Sequence, residues 1–481
     1  MTSTSRERPR VAIVGGGLAG SAAAAALCDT QAQVTLFEAR RQLGGRAASY
    51  RDPTSDELID HCQHVSLGCC TNLDDLCRRA GLASEFRLDD TLYFFPPTGP
   101  MRTLRASRWL PAPLHLGPAL LQLDYLSWRE RLGIASALWR LARWRYNETV
   151  VEPTMLAWLH ARGQSPRAIE FFWSPVLVSA LGDTLDRVAL SPARKVFVDG
   201  FMAARGAYRV RVPRRPLAEL FGTRLAAWLG ARGVELRCGM RVAQVACDQG
   251  RPAVTFADAT RETFDAVIVA VPWRKAGTLF DAALASQLPW TAALADWPAA
   301  PITGVHLWFD RPLTNLPHAV ILGRLSQWLF NRSDEETASE SPATSEGATR
   351  EYYHQVVISA SQALAGRSKE DILAEVAADL RAVFPAAAAA QLLRGRVVTE
   401  PEAVFSTAPG CETLRPTQRT TAPGVFVAGD WTATGWPATM EGAVRSGYLA
   451  AEAVFDALGA PRRFLAPDLP RGLLARLLLP G

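Results

Sequence analysis

VAIVGGGLAG, residues 11–20, is the stretch from which the fold is read. Val11 to Val14 form a short apolar run with the character of a buried strand, and glycines follow at 15, 17 and 20. That spacing is GxGxxG. The first glycine permits a tight turn, the second lets backbone approach a pyrophosphate, and the third lets a helix pack closely on a strand. The Ala-rich helix expected from Leu18 and Ala19 onward presents free N–H groups and a positive dipole end to phosphate oxygens. A second strand, Val34 to Phe37, leads into Glu38, placed to accept a hydrogen bond from a ribose hydroxyl and so to favour a dinucleotide without a 2′-phosphate.

Two further segments refine this reading. After Glu38 and Ala39 the chain reads RRQLGGR from Arg40 to Arg46, where Gly44 and Gly45 let main chain pass close to a ligand and Arg46 offers a planar cation to phosphate. Far downstream, VFVAGDWTATGWPATMEGAVRSG spans residues 425–447. It reads as a strand, a turn at Gly429 and Asp430, and a helix with Pro437 in its first turn. The paired glycines and this distal segment resemble the large flavoproteins of the amine oxidase and carotenoid desaturase type. The resemblance implies FAD, with Asp430 near the ribityl and pyrophosphate. Trp436, Pro437, Ala438 and Met440 would then lie at the pyrimidine end of the isoalloxazine. Val242, from an intermediate strand, is expected to join the cofactor contacts.

The size of 481 residues points to two domains, and the 48% hydrophobic content is ordinary for a globular protein. The expected class is α/β. A Rossmann-type FAD-binding domain is assembled from residues 1–85, 213–275 and 420–458. An α+β substrate domain, with a mixed sheet and a helical cap, takes up 86–212 and 276–419. Val305 to Phe309, Ala319 to Phe330 and Tyr352 to Ser359 read as its strands, and the polar stretch from Arg332 to Arg350 as a flexible loop. A basic amphipathic tail occupies 459–481.

The eight cysteines form no CxxC pair and read mostly as small core residues in a reducing cytosol, with no metal site. No secretory signal and no membrane-spanning run is expected. The net charge is +5, yet residues 101–146 alone carry eight arginines against Asp124 and Glu130, among four tryptophans. The tail interleaves Arg462, Arg463, Arg471 and Arg476 with leucines. Such mixtures suit either a solvated amphipathic helix or a lipid surface, and the reading is of a cytoplasmic protein held peripherally at the inner face of the membrane. Nucleic acid is not an expected partner, since no recognition motif accompanies the arginines. A single glycine fingerprint leaves no second dinucleotide site, so electrons enter or leave through an external donor, a quinone, oxygen or the substrate.

For chemistry, residues 60–70 read DHCQHVSLGCC. Asp60, Gln63 and His64 combine an orienting carboxylate, an amide and a titratable imidazole, or else form a hydrogen-bonded surface turn. Phe172 and Trp173 are either core or the wall of a substrate tunnel. Together QHVSLGCCTNL, DTLYFFPPTG, PAPLHLGPALL, FWSPVLVSAL, QWLFNRS, QVVISAS and AGDWTATGWPATMEGAVRSG resemble the squalene-associated FAD-dependent desaturase family, whose members act as hydroxysqualene dehydroxylases in squalene and hopanoid synthesis. Gly182 and Asp183 stand where that family is expected to carry an Asn and an acidic residue.

The resemblance implies a long apolar isoprenoid substrate, neighbouring enzymes of the squalene pathway as partners, and reductive removal of an allylic hydroxyl. Hydroxide leaves poorly without an acid, for which His64 oriented by Asp60 is the candidate, with Gln63 positioning the hydroxyl and Trp173, Phe172 or Trp436 facing the substrate. Two rival readings stand beside it: a carotenoid-type desaturase, and a non-catalytic isoprenoid carrier on the same scaffold.

Overall fold

The computed structural model describes residues 8–147, 149–333 and 351–479. Its organising element is a five-stranded parallel sheet in the order Glu235–Cys238, Gln33–Glu38, Arg10–Val14, Ala266–Val269, Val425–Val427. The three central strands are almost wholly buried, which is why they read as continuous apolar runs and not as alternating ones.

One face of this sheet is covered by the helix Leu18–Leu27, every residue of which is buried, and by Met440–Ala457 packed against it. Their approach is closer than side chains allow. A Cβ on Gly447 would lie 2.1 Å from the carbonyl oxygen of Ala19, and one on Gly20 would lie 1.9 Å from that of Gly15. The alanine run therefore serves close packing of two helices separated by four hundred residues of sequence. The other face is covered by an antiparallel meander of Val242–Asp248, Arg251–Phe256 and Arg261–Thr263, whose Val245, Val254 and Phe256 pack with Phe37, Val267 and Val269. Segments from the beginning, middle and end of the chain thus build one Rossmann-type unit of the α/β class.

Beyond it lies a seven-stranded mixed sheet. Its order is Leu392–Phe405, Ala299–Phe309, Tyr352–Ser359, Trp328–Asn331, His318–Ile321, Thr91–Phe95 and Arg102–Arg105. All neighbours are antiparallel except His318–Ile321 with Thr91–Phe95. The single strand expected over 319–330 is instead two, because the chain turns at Gly323 (φ +68°) and the Ser326 N–H is held by Asp379 at 3.0 Å. Of the expected flexible loop, residues 334–350 lie outside the described residues. A small sheet in which Val210–Pro213 pairs with both Ser66–Leu67 and Phe86–Asp89 joins the two units.

Helices between residues 114 and 202 cap the larger sheet around their own core. Trp173 sits at its centre, fully buried, with its indole N–H donating to Gln164 Oε1 at 2.9 Å. Phe172 packs beside it. Neither ring lines the large cavity between the two units, so both are core and the expected substrate contact is corrected.

Candidate active site

The cavity between the parallel and mixed sheets has a volume of about 760 Å³. Its phosphate end is built by glycines. Gly15 turns the chain out of the first strand with φ +109°, and a Cβ there would meet the Ala270 carbonyl oxygen at 2.6 Å. No side chain caps the following helix at Gly17, which leaves its first-turn N–H groups for a ligand. Gly44 N–H donates to Gly16 O at 2.9 Å, and a Cβ on Gly45 would stand 2.9 Å from Gly17 Cα. The two glycine loops are thereby zipped together with room for main chain alone.

Glu38, nearly buried, accepts from Gly16 N–H at 2.7 Å and from Arg40 N–H at 2.8 Å. It braces the loop while facing the cavity. Arg46 donates to Asp430 at 2.5 Å and to the Ala403 carbonyl at 2.9 Å, tying the first loop to the last strand. Gly429 adopts φ +149° and its N–H donates to Ser446 Oγ at 2.8 Å. The helix Met440–Ala457 is capped by Thr439, which accepts from Gly442 N–H at 3.1 Å. Pro437 therefore lies before the cap and not in the first turn: a Cβ on Gly442 would meet the Pro437 carbonyl at 2.5 Å, which fixes the entry of the chain.

Of the residues expected from sequence to hold a cofactor, Gly15, Gly17, Leu18, Ala19, Glu38, Ala39, Arg40, Gly44, Gly45, Arg46, Val242, Gly429, Asp430, Ala438 and Met440 line this cavity. Gly20, Trp436 and Pro437 do not. Gly20 packs helix on strand, as the fingerprint implies. Trp436 packs in a cluster with Cys69, Ala204 and Ala207, with the Lys195 ammonium 4.7 Å from its ring centroid, outside the lining of this cavity, and its buried indole N–H has no partner.

On the opposite wall, Gln63 and His64 line the cavity together with Cys62 and Val65. The mixed sheet makes space for this segment at Gly304, where a Cβ would stand 2.5 Å from the His61 carbonyl. His64 Nδ1 lies 3.0 Å from the Cys62 carbonyl and 3.8 Å from its sulfur. Burial acts against a charged imidazole, but the Cys62 sulfur and carbonyl, with a smaller contribution from Asp60, outweigh it and raise the pKa to about 9. The expected Asp60–His64 contact is not made. Asp60 accepts from Ser49 Oγ at 2.6 Å and from Leu217 N–H at 2.8 Å, holding the start of another helical segment. Gln63 donates to the His64 carbonyl at 3.1 Å, and its buried Oε1 has no partner.

Sequence reading missed the remaining wall: Ser179 to Gly182, Ile302, Val357, Ser359, Ala403 and Val404. Gly182 ends the helix Ser174–Leu181 in the left-handed conformation (φ +72°) against Val404, while buried Asp183 accepts from Ser406 Oγ at 2.6 Å and Gln362 Nε2 at 3.1 Å.

The donors fit a dinucleotide. Unpaired N–H groups at a glycine turn and a cradle that a Cβ would fill occupy one end, and an acceptor without a donor, Gln63 Oε1, waits at the other. The sequence profile of the flavin containing amine oxidoreductases matches residues 18–455. The chain belongs to that family. It is an FAD-dependent oxidoreductase. The hydroxysqualene dehydroxylase of Rhodopseudomonas palustris is 27% identical over 460 residues, covering 93% of this chain and 98% of that one. The 15-cis-phytoene desaturase of Synechococcus elongatus is 26% identical over 473 residues, covering 92% and 95%. Among solved structures, cyclohexylamine oxidase from Brevibacterium oxydans shares the fold with a TM-score of 0.65 at 20% identity, covering 94% of this chain and 100% of that one. Among the described residues, no helix is long and apolar enough to cross a membrane, and no group of three or more His, Cys, Asp or Glu side chains is placed to hold a metal ion.

Proposed function

We propose that this family member carries out reductive dehydroxylation of hydroxysqualene to squalene, with loss of water, in squalene and hopanoid synthesis. The Gly15–Gly17 turn, Glu38, Gly44–Arg46 and Asp430 would hold FAD, which in its reduced form would supply the hydride for the carbon that loses oxygen. His64 donates the proton that turns the departing hydroxyl into water, and Gln63 Oε1 accepts a hydrogen bond from that hydroxyl before it leaves. Ala180, Leu181, Ile302 and Val357 hold the hydrocarbon and exclude water from the reacting carbon. Electrons come from an external donor. The arginine- and tryptophan-bearing segments bring the chain to the cytoplasmic face of a membrane, where this substrate and the upstream enzymes of the squalene pathway reside.

The observation that carries this reading is the placement of His64 beside the partnerless Gln63 Oε1 on the wall of an otherwise largely apolar cavity. Removing hydride from a C–H bond needs no such acid. Similarity to phytoene desaturases supports a second reading, oxidative desaturation of a long polyene. Anaerobic incubation of photoreduced enzyme with hydroxysqualene, beside oxidised enzyme with phytoene, separates the two by product. Squalene from the first arm alone is expected, and a desaturated product from the second alone would overturn the proposal. His64→Phe is expected to abolish turnover with flavin still bound. An unchanged rate removes the proton-donor role.

A further inference from the structure

A second cavity of about 710 Å³ lies in the helical and edge-strand region, outside the lining of the flavin cavity. Four guanidinium groups, those of Arg105, Arg108, Arg205 and Arg209, face it with one carboxylate, Asp90. Only Arg105 pairs with that carboxylate, at 3.0 Å. Arg205 donates to the main-chain carbonyls of Ser107 and Arg108 at 2.6 and 2.9 Å, and among the described residues Arg108 and Arg209 have no carboxylate partner. Positive charge is therefore in surplus inside a concavity, where it has the fork geometry that suits phosphate oxygens.

The concavity is built and not a chance gap between mobile loops. Tyr208 accepts from Ala106 N–H at 2.9 Å and donates to the Asp90 carbonyl at 2.7 Å, while Ser107 N–H donates to the His115 carbonyl at 2.8 Å. Exposed apolar side chains lie on its lining and on a neighbouring helix. Trp109 is 84% exposed, and the C-terminal helix Leu473–Leu478 turns Leu473 (81% exposed) and Leu477 (82%) outward while Ala475 packs against Ala112 of the same loop region. A cationic hollow lined by an exposed tryptophan, with exposed leucines on the helix beside it, matches one partner in particular: a bilayer whose surface phosphates are anionic.

We propose that the cavity bounded by Arg105, Arg108, Arg205 and Arg209 receives the headgroup phosphate of an anionic phospholipid, with Trp109, Leu473 and Leu477 entering the acyl boundary around it. This rests on the reading that the chain works at a membrane surface, and adds to it the lipid class and the site. Each basic group beside an anionic leaflet contributes about 1 kcal/mol, or about fivefold in partition.

The test is flotation of the FAD-loaded full chain with vesicles of phosphatidylcholine alone or mixed equally with phosphatidylglycerol. Binding to the mixed vesicles is expected, weakening with salt. R108Q/R209Q, which removes no hydrogen bond within the protein, should reduce that binding about 30-fold with flavin absorbance retained. R381Q/R419Q, the same charge change on exposed residues outside the arginine- and tryptophan-bearing segments, should reduce it far less. W109S should weaken binding at both compositions. If the wild-type chain binds neither vesicle, the membrane reading and the site fall together. If it binds and R108Q/R209Q binds equally well, or R381Q/R419Q loses as much, the site alone falls. Calorimetric binding of inorganic pyrophosphate, lost in R108Q/R209Q, without any vesicle binding would assign the cavity to a soluble phosphate ester and overturn the proposal.

Discussion

Gly45→Ala tests the cofactor cradle most directly. Gly45 holds φ +61°, a left-handed conformation that costs a residue bearing a Cβ about 1–2 kcal/mol. The added methyl would also stand 2.9 Å from Gly17 Cα, a backbone atom that cannot rotate away. Overpacking of this kind adds about 1–3 kcal/mol unless the loop moves. Relief is available only by separating the 44–45 loop from the 15–17 turn, which breaks the Gly44 N–H to Gly16 O bond and spreads the surface that faces the pyrophosphate. The strain is then transferred from folding to cofactor binding. A loss of about 2–4 kcal/mol corresponds to FAD binding weaker by about 30- to 1,000-fold. Titration of apoprotein with FAD, followed by quenching of flavin fluorescence, measures it. A dissociation constant within threefold of wild type, with thermal stability unchanged, would refute the close-approach argument. Gly133→Ala provides the contrast: it lies inside the helix Trp128–Arg143 with only the flexible end of Gln164 at 3.4 Å, and should stabilise by about 0.5–1 kcal/mol.

The proton-donor role of His64 predicts that turnover is supported below about pH 9 and falls as pH rises through it, because the group must enter protonated. Cys62→Ala removes the sulfur that favours the charged imidazole and should move this alkaline limb to lower pH, measured from kcat against pH. By the same sign, any stability drawn from the raised His64 pKa is complete below the unfolded value near 6.5 and is lost above about 9. Glu441 is buried in the first turn of the helix Met440–Ala457 and accepts from Asn72 N–H, Asn72 Nδ2 and Leu73 N–H at 3.1, 3.0 and 2.8 Å. Glu441→Ala strands these donors and should cost about 2–4 kcal/mol in denaturant unfolding, at the upper end for a single side chain. Trp173→Phe should lower stability by about 1–2 kcal/mol through the lost bond to Gln164, yet leave KM unchanged, since the ring is core.

What could be read from sequence is what local geometry dictates. Gly15, Gly20, Gly44 and Gly45 are needed for turns or close approaches that nothing larger permits, and that need shows in a linear motif. The apolar strands around Val11, Val267 and Val425 carried the parallel sheet in the same way. Substrate-side residues behaved differently. Ile302, Val357 and Val404 face the cavity only because sheet register and the Gly182 turn bring separate strands and a helix end together, and nothing in their neighbours marks them. Asp60 misled for a related reason: four residues from His64 in sequence, its carboxylate is taken by Ser49 and by the Leu217 main chain. Trp173 is satisfied within a core of its own, its indole N–H donating to Gln164.

The interleaving of the parallel sheet has a consequence for biogenesis. Its strand at Ala266–Val269 sits between Arg10–Val14 and Val425–Val427, and the fully buried helix Leu18–Leu27 finds its cover only in Met440–Ala457. A nascent chain emerging from the ribosome therefore carries an alanine-rich helix with no mate until residues 440–457 have been made. Contacts of such long sequence separation form slowly. The cofactor cavity is complete only with Gly429 and Asp430 in place, and a chain truncated before residue 425 would leave both the sheet edge and that helix uncovered.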